Sequence, residues 1–211
     1  MTLVLEHITI TLNNQPLFTE VNLRVEPGRI VTLMGPSGCG KSTLLSAIFG
    51  NLAPCFRLSG EIVLGDRLLN PLPMEQRRVG ILFQDDLLFP HLDVAGNMSF
   101  ALPAGTHRHD KKQIISESLD RAGLSGFEHR DVATLSGGQK ARVSLLRTLL
   151  AKPQAILLDE PFSKLDQELK QSVRSFVFAQ IRTLNIPALL VTHDPEDAPD
   201  EPIFNLGAGN A

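Results

Sequence analysis

The spacing of apolar residues changes along the chain. Leu3, Leu5, Ile8 and Ile10 fall close to alternation and Val21 to Val25 alternates, which predicts half-buried strands near the N-terminus. Ile30 to Met34 is instead a continuous apolar run between Gly28 and Gly35, the pattern of a strand covered on both faces. A helix is expected from Lys41 to Phe49, stopped by Gly50. From about Gln84 to Leu150 the period turns helical: Ile114, Ile115, Leu119 and Ala122 recur on one face, as do Ala141, Leu145, Leu149 and Leu150, with Pro153 beyond the end. Two more continuous runs, Ala155 to Asp159 and Ala188 to Thr192, predict buried strands, and Leu169, Val173, Phe176 and Ile181 mark a helix between them. Strands alternating with helices predict an α/β fold on a mainly parallel sheet, with an antiparallel β portion at the N-terminus. The helical stretch 84–150 is expected to be an inserted subdomain, and 1–83 with 151–211 the core.

Length agrees, since 211 residues exceed one minimal domain and fall short of two ordinary ones. The 43% apolar content makes a core possible without disulfides or metals. Cys39 and Cys55 are too few for a disulfide scaffold and lack a zinc spacing. A formal charge of −3 argues against nucleic acid or anionic lipid as the main partner. The N-terminus lacks a positively charged signal region, and the uncharged stretch Ser42 to Phe56 is too short and polar to cross a membrane, so a soluble, cytoplasmic protein is expected. The chain has no Trp and no Tyr; all its aromatic content is 11 Phe, which excludes functions built on several stacking tyrosines or tryptophans.

Candidate chemistry begins at Gly35-Pro36-Ser37-Gly38-Cys39-Gly40-Lys41-Ser42, followed by Thr43, which matches GxxxxGK[ST] between a predicted strand and a predicted helix. Glycines let successive backbone N–H groups curl around phosphates, the helix start adds positive charge, Lys41 reaches the terminal phosphates, and the Ser42 hydroxyl can ligate Mg²⁺. A plain glycine turn joining strand to helix is the bland alternative. Asp159 and Glu160 are adjacent carboxylates at the C-terminal end of a buried strand, where α/β sheets bind ligands. Asp159 is expected in the Mg²⁺ shell, and Glu160 is expected to orient or deprotonate water, which favours hydrolysis over transfer to a substrate. Ser136 and Gln139 form an S-x-x-Q capping box at the start of a helix. That box does not account for Gly137 and Gly138, whose exposed N–H groups at a helix start predict a second anion site.

Taken together, Leu135-Ser136-Gly137-Gly138-Gln139, the phosphate loop and Ile156-Leu-Leu-Asp159-Glu160 resemble the ATP-binding subunit of an ABC transporter, over nearly the whole chain. The resemblance implies a P-loop NTPase core with an inserted helical subdomain, and ATP and Mg²⁺ as ligands. It places Gln84 at the Q-loop glutamine, a Mg²⁺ contact that senses the membrane partner, and His193 at the switch histidine that touches the γ-phosphate. Asp166 falls in the D-loop, where Lys164 replaces the family's usual small residue. It further implies a head-to-tail dimer, in which each ATP lies between one copy's phosphate loop and the other copy's 136–139 segment.

The run Phe83 to Val94 is similar to bacterial importer subunits of the thiamine, iron, sulfate and polyamine kind. Membrane-spanning subunits are then the direct partners, a substrate-binding protein an indirect one, and no nucleic acid is expected. Leu87, Leu88, Phe89 and Leu92 form either an apolar docking rim or a seal of the helical subdomain against the core. A soluble ABC ATPase acting on ribosomes or DNA is the alternative reading, and a small-molecule kinase, which has no use for residues 135–139, ranks below it. Two departures stand out. The run after His193 carries three prolines where the family usually has a helix, and the chain's end at Ala211 implies no added regulatory domain. The family's adenine-stacking tyrosine falls on Leu12, so either Phe18 or another phenylalanine substitutes, or the base is held weakly with poor discrimination.

Overall fold

Alternating segments and continuous apolar runs become two different kinds of sheet in the computed structural model, which describes residues 1–199 and 202–207. In chain order the elements are β1 (Leu3–Leu12), β2 (Gln15–Pro16), β3 (Val21–Val25), β4 (Ile30–Met34), α1 (Lys41–Phe49), β5 (Phe56–Leu64), β6 (Arg67–Leu68), α2 (Met74–Arg77) and β7 (Val79–Leu82). Then come α3 (Val94–Ser99), α4 (Arg108–Arg121), α5 (Gly137–Leu150), β8 (Ala155–Asp159), α6 (Gln167–Leu184), β9 (Ala188–Val191) and β10 (Ile203–Asn205). Contacts divide the chain into two compact units. One comprises Met1–Ile81, Gln154–Glu160 and Gln180–Ala211; the other comprises Leu82–Pro153 and Pro161–Ala179. Residues 161–179 thus cluster with the helical unit, whereas the expected boundaries group them with the core.

In the first unit β1 pairs antiparallel with β2, β3 and β5. Its buried positions change phase, from Leu3 and Leu5 to Ile8 and Ile10, because the register slips between them. His7 adopts φ 53° at the slip, and Gly60 lies opposite, where a Cβ would stand 2.4 Å from the His7 carbonyl oxygen. An added residue of this kind is a β-bulge, and it keeps the apolar side of the strand on the core.

The second sheet of this unit runs in the order β10-β4-β9-β8-β7, with β10, β4, β9 and β8 parallel. Leu33 and Asp159 both register with Val191, so β4, β9 and β8 end at one level. All three are buried nearly throughout, as expected of a parallel strand covered on both faces. Helix α1 ends at Gly50 with φ 99°, and the buried guanidinium of Arg77 donates to the carbonyls of Ala47 and Ile48, closing the helix C-terminus. After His193 the prolines yield a three-residue 3-10 turn, Pro195–Asp197, before β10 adds beside β4. The rest of that departure partly falls on residues 200–201, outside the described residues.

The second unit packs α3, α4 and α5 around Val94, Met98, Ile115, Leu119, Val143 and Leu146. Helix α5 also holds the segment after Gln84: the Ser144 hydroxyl donates to the Asp86 carbonyl at 2.9 Å and the Arg147 guanidinium to that of Leu87 at 2.8 Å.

Candidate functional site

The turn from β4 into α1 is glycine-built because its backbone leaves the region open to other residues. Gly38 and Gly40 take φ of 80° and 97°. A Cβ on Gly40 would also stand 2.9 Å from the Phe18 ring. Helix α1 starts at Gly40 without a side-chain cap, so its first N–H groups have no side-chain acceptor at the cap. Within the curve lies the Lys41 ammonium, 7% exposed, donating to the carbonyls of Gly35 at 2.8 Å and Pro36 at 2.9 Å. A buried cation held by neutral carbonyls leaves a strong positive field at the mouth of the loop, which suits an anion. Cys39 is half-buried with its sulfur 3.9 Å from that ammonium.

Because the ends of β4, β9 and β8 lie side by side, residues far apart in sequence meet here. The Ser42 hydroxyl donates to Asp159 Oδ1 at 3.1 Å. Burial raises the Asp159 pKa above the ordinary 3.8, the Ser42 hydrogen bond opposes this, and the neighbouring Glu160 adds to it. A hydroxyl and a poorly solvated carboxylate at one point are the hard oxygen donors that Mg²⁺ takes from protein, the remainder of its shell coming from water and phosphate. Glu160 stands at φ 47°, a strained backbone for a non-glycine residue, with its N–H donating to the Val191 carbonyl at 2.9 Å. His193, the second residue past β9, brings Nδ1 to 3.3 Å from Glu160 Oε2.

The other expected site residues belong to the second unit. Gln84 is exposed just beyond β7. Ser136 and Gln139 complete the capping box: the Ser136 hydroxyl accepts from the Gln139 N–H, and Gln139 Oε1 accepts from the Ser136 N–H at 3.0 Å. Gly138 has a packing reason that the sequence does not reveal, since a Cβ there would stand 2.6 Å from Leu169 of α6. Asp166 caps α6, its carboxylate accepting from the Leu169 N–H at 3.0 Å. Lys164 forms an ion pair with Asp85, next to Gln84.

Residues 18–163, well over half of the chain, match the family described as ABC transporter. The chain belongs to this family. It is 50% identical over 197 residues to an uncharacterized ABC transporter ATP-binding protein, YnjD, of Escherichia coli (strain K12), covering 93% of this chain and 91% of that one. It is 38% identical over 200 residues to the spermidine/putrescine import ATP-binding protein PotA of Mycoplasma capricolum, and 39% identical over 194 residues to the Fe(3+) ions import ATP-binding protein FbpC of Brucella abortus (strain 2308). Those alignments cover 93% and 92% of this chain but only 55% and 54% of the relatives, so the chain spans about half their length. The mixed α/β architecture, with its parallel sheet and antiparallel portion, is that of the ABC-type P-loop NTPase.

Within this ABC domain the phosphate loop shares a cavity of about 410 Å³ with Leu12, Leu17 and Phe56. Phe56 pairs directly with Leu12 across β1 and β5. Phe18, considered as a substitute for the missing stacking ring, is only 6% exposed and packs under Gly40. Phe56 and Leu17 carry no signal in the sequence, because their place in the cavity depends on strand pairing.

Proposed function

We propose that this chain is the ATP-hydrolysing, energy-coupling subunit of an ABC importer, working as a head-to-tail pair on membrane-spanning partner subunits. The observation that carries this reading is the meeting of Lys41, Ser42, Asp159, Glu160 and His193 at the carboxyl ends of three adjacent parallel strands. Import is a property printed in the names of the PotA and FbpC relatives, and it is carried to this chain as part of the proposal.

In this mechanism the N–H groups around Gly38 to Ser42 and the Lys41 ammonium bind the phosphates of ATP. The Ser42 hydroxyl and the Asp159 carboxylate would hold Mg²⁺, which neutralises charge on the phosphoryl group in transfer. Glu160 accepts the proton of the attacking water as its oxygen bonds to the γ-phosphorus and the bond to the β-phosphate oxygen breaks, leaving ADP and phosphate. His193 keeps the Glu160 carboxylate oriented and reaches the γ-phosphate. The segment Ser136 to Gln139 serves the ATP held by a second copy's phosphate loop, with Asp166 beside it. Binding closes the pair, and hydrolysis opens it.

The apolar rim supports a membrane partner. Leu88 packs on the helical core, but Leu87 is 55% exposed, and Phe100, its ring 5.0 Å from that of Phe89, is 73% exposed. Exposed apolar groups gathered in this way mark a docking surface. No helix among the described residues is long and apolar enough to cross a membrane; a peripheral position on the cytoplasmic side is part of the proposal. Action on ribosomes or DNA is disfavoured by the importer relatives and by the net charge of −3.

Glu160→Gln tests this reading. The variant should bind ATP yet lose hydrolysis by on the order of 100-fold or more, and should accumulate a nucleotide-bound dimer on size exclusion. Near-normal turnover removes Glu160 from the role of base, and a variant that stays monomeric with ATP removes the shared site.

A further inference from the structure

The cavity beside the phosphate loop continues onto a wall of three side chains that contain no hydrogen-bonding atom: Leu12, Leu17 and Phe56. Only one of them has a π face. The chain has no tryptophan or tyrosine, and Phe18 is buried beneath Gly40, where it supports the loop and does not line the cavity. Phe56 is half-buried, fixed opposite Leu12 by the β1–β5 register, packed on the core of its unit, and anchored by its own N–H donating to the Ala53 carbonyl at 3.0 Å. A ring held in this way is pre-organised for stacking, so little freedom is lost when a flat ligand covers it.

We propose that Phe56 is the residue on which the nucleobase stacks, and that this base site accepts purines without distinguishing adenine from guanine. The first half follows from a single ring in a cavity that also contains the phosphate loop. The second follows from the wall's chemistry. Stacking is tolerant because every base has a π face, and an apolar pocket discriminates poorly between ligands that differ only in polar substituents. Strong selection needs buried polar partners that one base satisfies and the other leaves unpaired, and the side chains of Leu12, Leu17 and Phe56 offer none. The proposal rests on the reading of residues 35–42 as a phosphate site.

The absence of tryptophan and tyrosine gives a clean probe. In Phe56→Trp the indole is the chain's only strong fluorophore, and its emission should be quenched by ATP and equally by GTP but not by inorganic tripolyphosphate, which has no base. Phe56→Ala should weaken ATP and GTP by about 5- to 100-fold and leave tripolyphosphate unchanged. Equal losses for all three ligands, or an indole that ATP does not quench, overturns the stacking role. A preference for ATP over GTP of more than about tenfold overturns the tolerance. Failure of the underlying reading looks different: the parent chain would then not bind tripolyphosphate at all. The Trp variant keeps a large ring in place, so the test stands even if Phe56→Ala does not fold.

Discussion

Helices α1 and α5 both begin where glycines crowd the sequence, Gly38-Cys39-Gly40 before one and Gly137-Gly138 in the first turn of the other. In the phosphate loop Gly38 and Gly40 are needed for backbone conformation, since each has φ between 80° and 97°. At the start of α5 both glycines lie in the helix, and the need is for space: Leu169 crosses where a Gly138 side chain would be. The caps differ in the same sense. Helix α1 has no side-chain cap, whereas Ser136 and Gln139 close a complete capping box on α5. One helix start has no side-chain cap, and the other is first of all a well-made helix start. The same residue type therefore carries different information, and a glycine motif alone does not say which.

The comparison can be broken most forcefully at Lys41. Lys41→Ala should weaken ATP binding by about 10- to 100-fold, because charge-assisted hydrogen bonds to phosphate are among the strongest that a site can lose. Unchanged affinity in an equilibrium titration would mean that the loop is only a turn. Next come the glycines. Gly40→Ala puts a side chain at φ 97° and against Phe18, and should cost about 1–3 kcal/mol in denaturant unfolding whatever its neighbours. Gly138→Ala should cost a similar amount by overpacking, but Leu169→Ala in the same chain should return part of it, since the obstacle is a leucine side chain. Rescue of the Gly40 variant by trimming Phe18, or none at Gly138, would reverse the assignment.

The smallest effect sharpens the phosphate side. Burial raises the Asp159 pKa above 3.8, so the stability tied to its neutral form is complete below 3.8 and is lost as pH rises through the folded value. At neutral pH the ionised carboxylate therefore costs stability. Asp159→Asn, whose amide oxygen can still accept from Ser42, should melt slightly higher than the parent chain at pH 7, and the gain should shrink as pH falls toward 3.8. Mg²⁺-dependent ATP binding should weaken in the same variant. A lower melting temperature at pH 7 would show that the carboxylate contributes to the fold.

Much of this was legible in sequence because the signals are short-range. The runs at 30–34, 155–159 and 188–191, the helix from Lys41 to Phe49 and the capping box at 136–139 each depend on residues within a turn or two. Illegible were features set by a partner distant in the chain: the bulge at His7 that shifts the phase of β1, Arg77 closing the end of α1, Leu169 over Gly138, and Phe56 beside Leu12. Asp166 lies between these cases, since its capping of α6 is a local signal that reading it only as a D-loop residue passes over.

By itself, then, the sequence determined the buried strands at 30–34, 155–159 and 188–191, the helices that begin at Lys41 and after Ser136, and the residue types that stand at their ends, but not β5, β7 or β10. Backbone propensity, periodicity and capping act over a few residues, and a linear string records them. Only the tertiary structure decided that Ser42 meets Asp159, that Glu160 meets His193, and which of the 11 phenylalanines faces the cavity. Those meetings follow from strand order and register: a one-residue slip would move every side chain of a strand to its other face, and packing the whole sheet fixes the register.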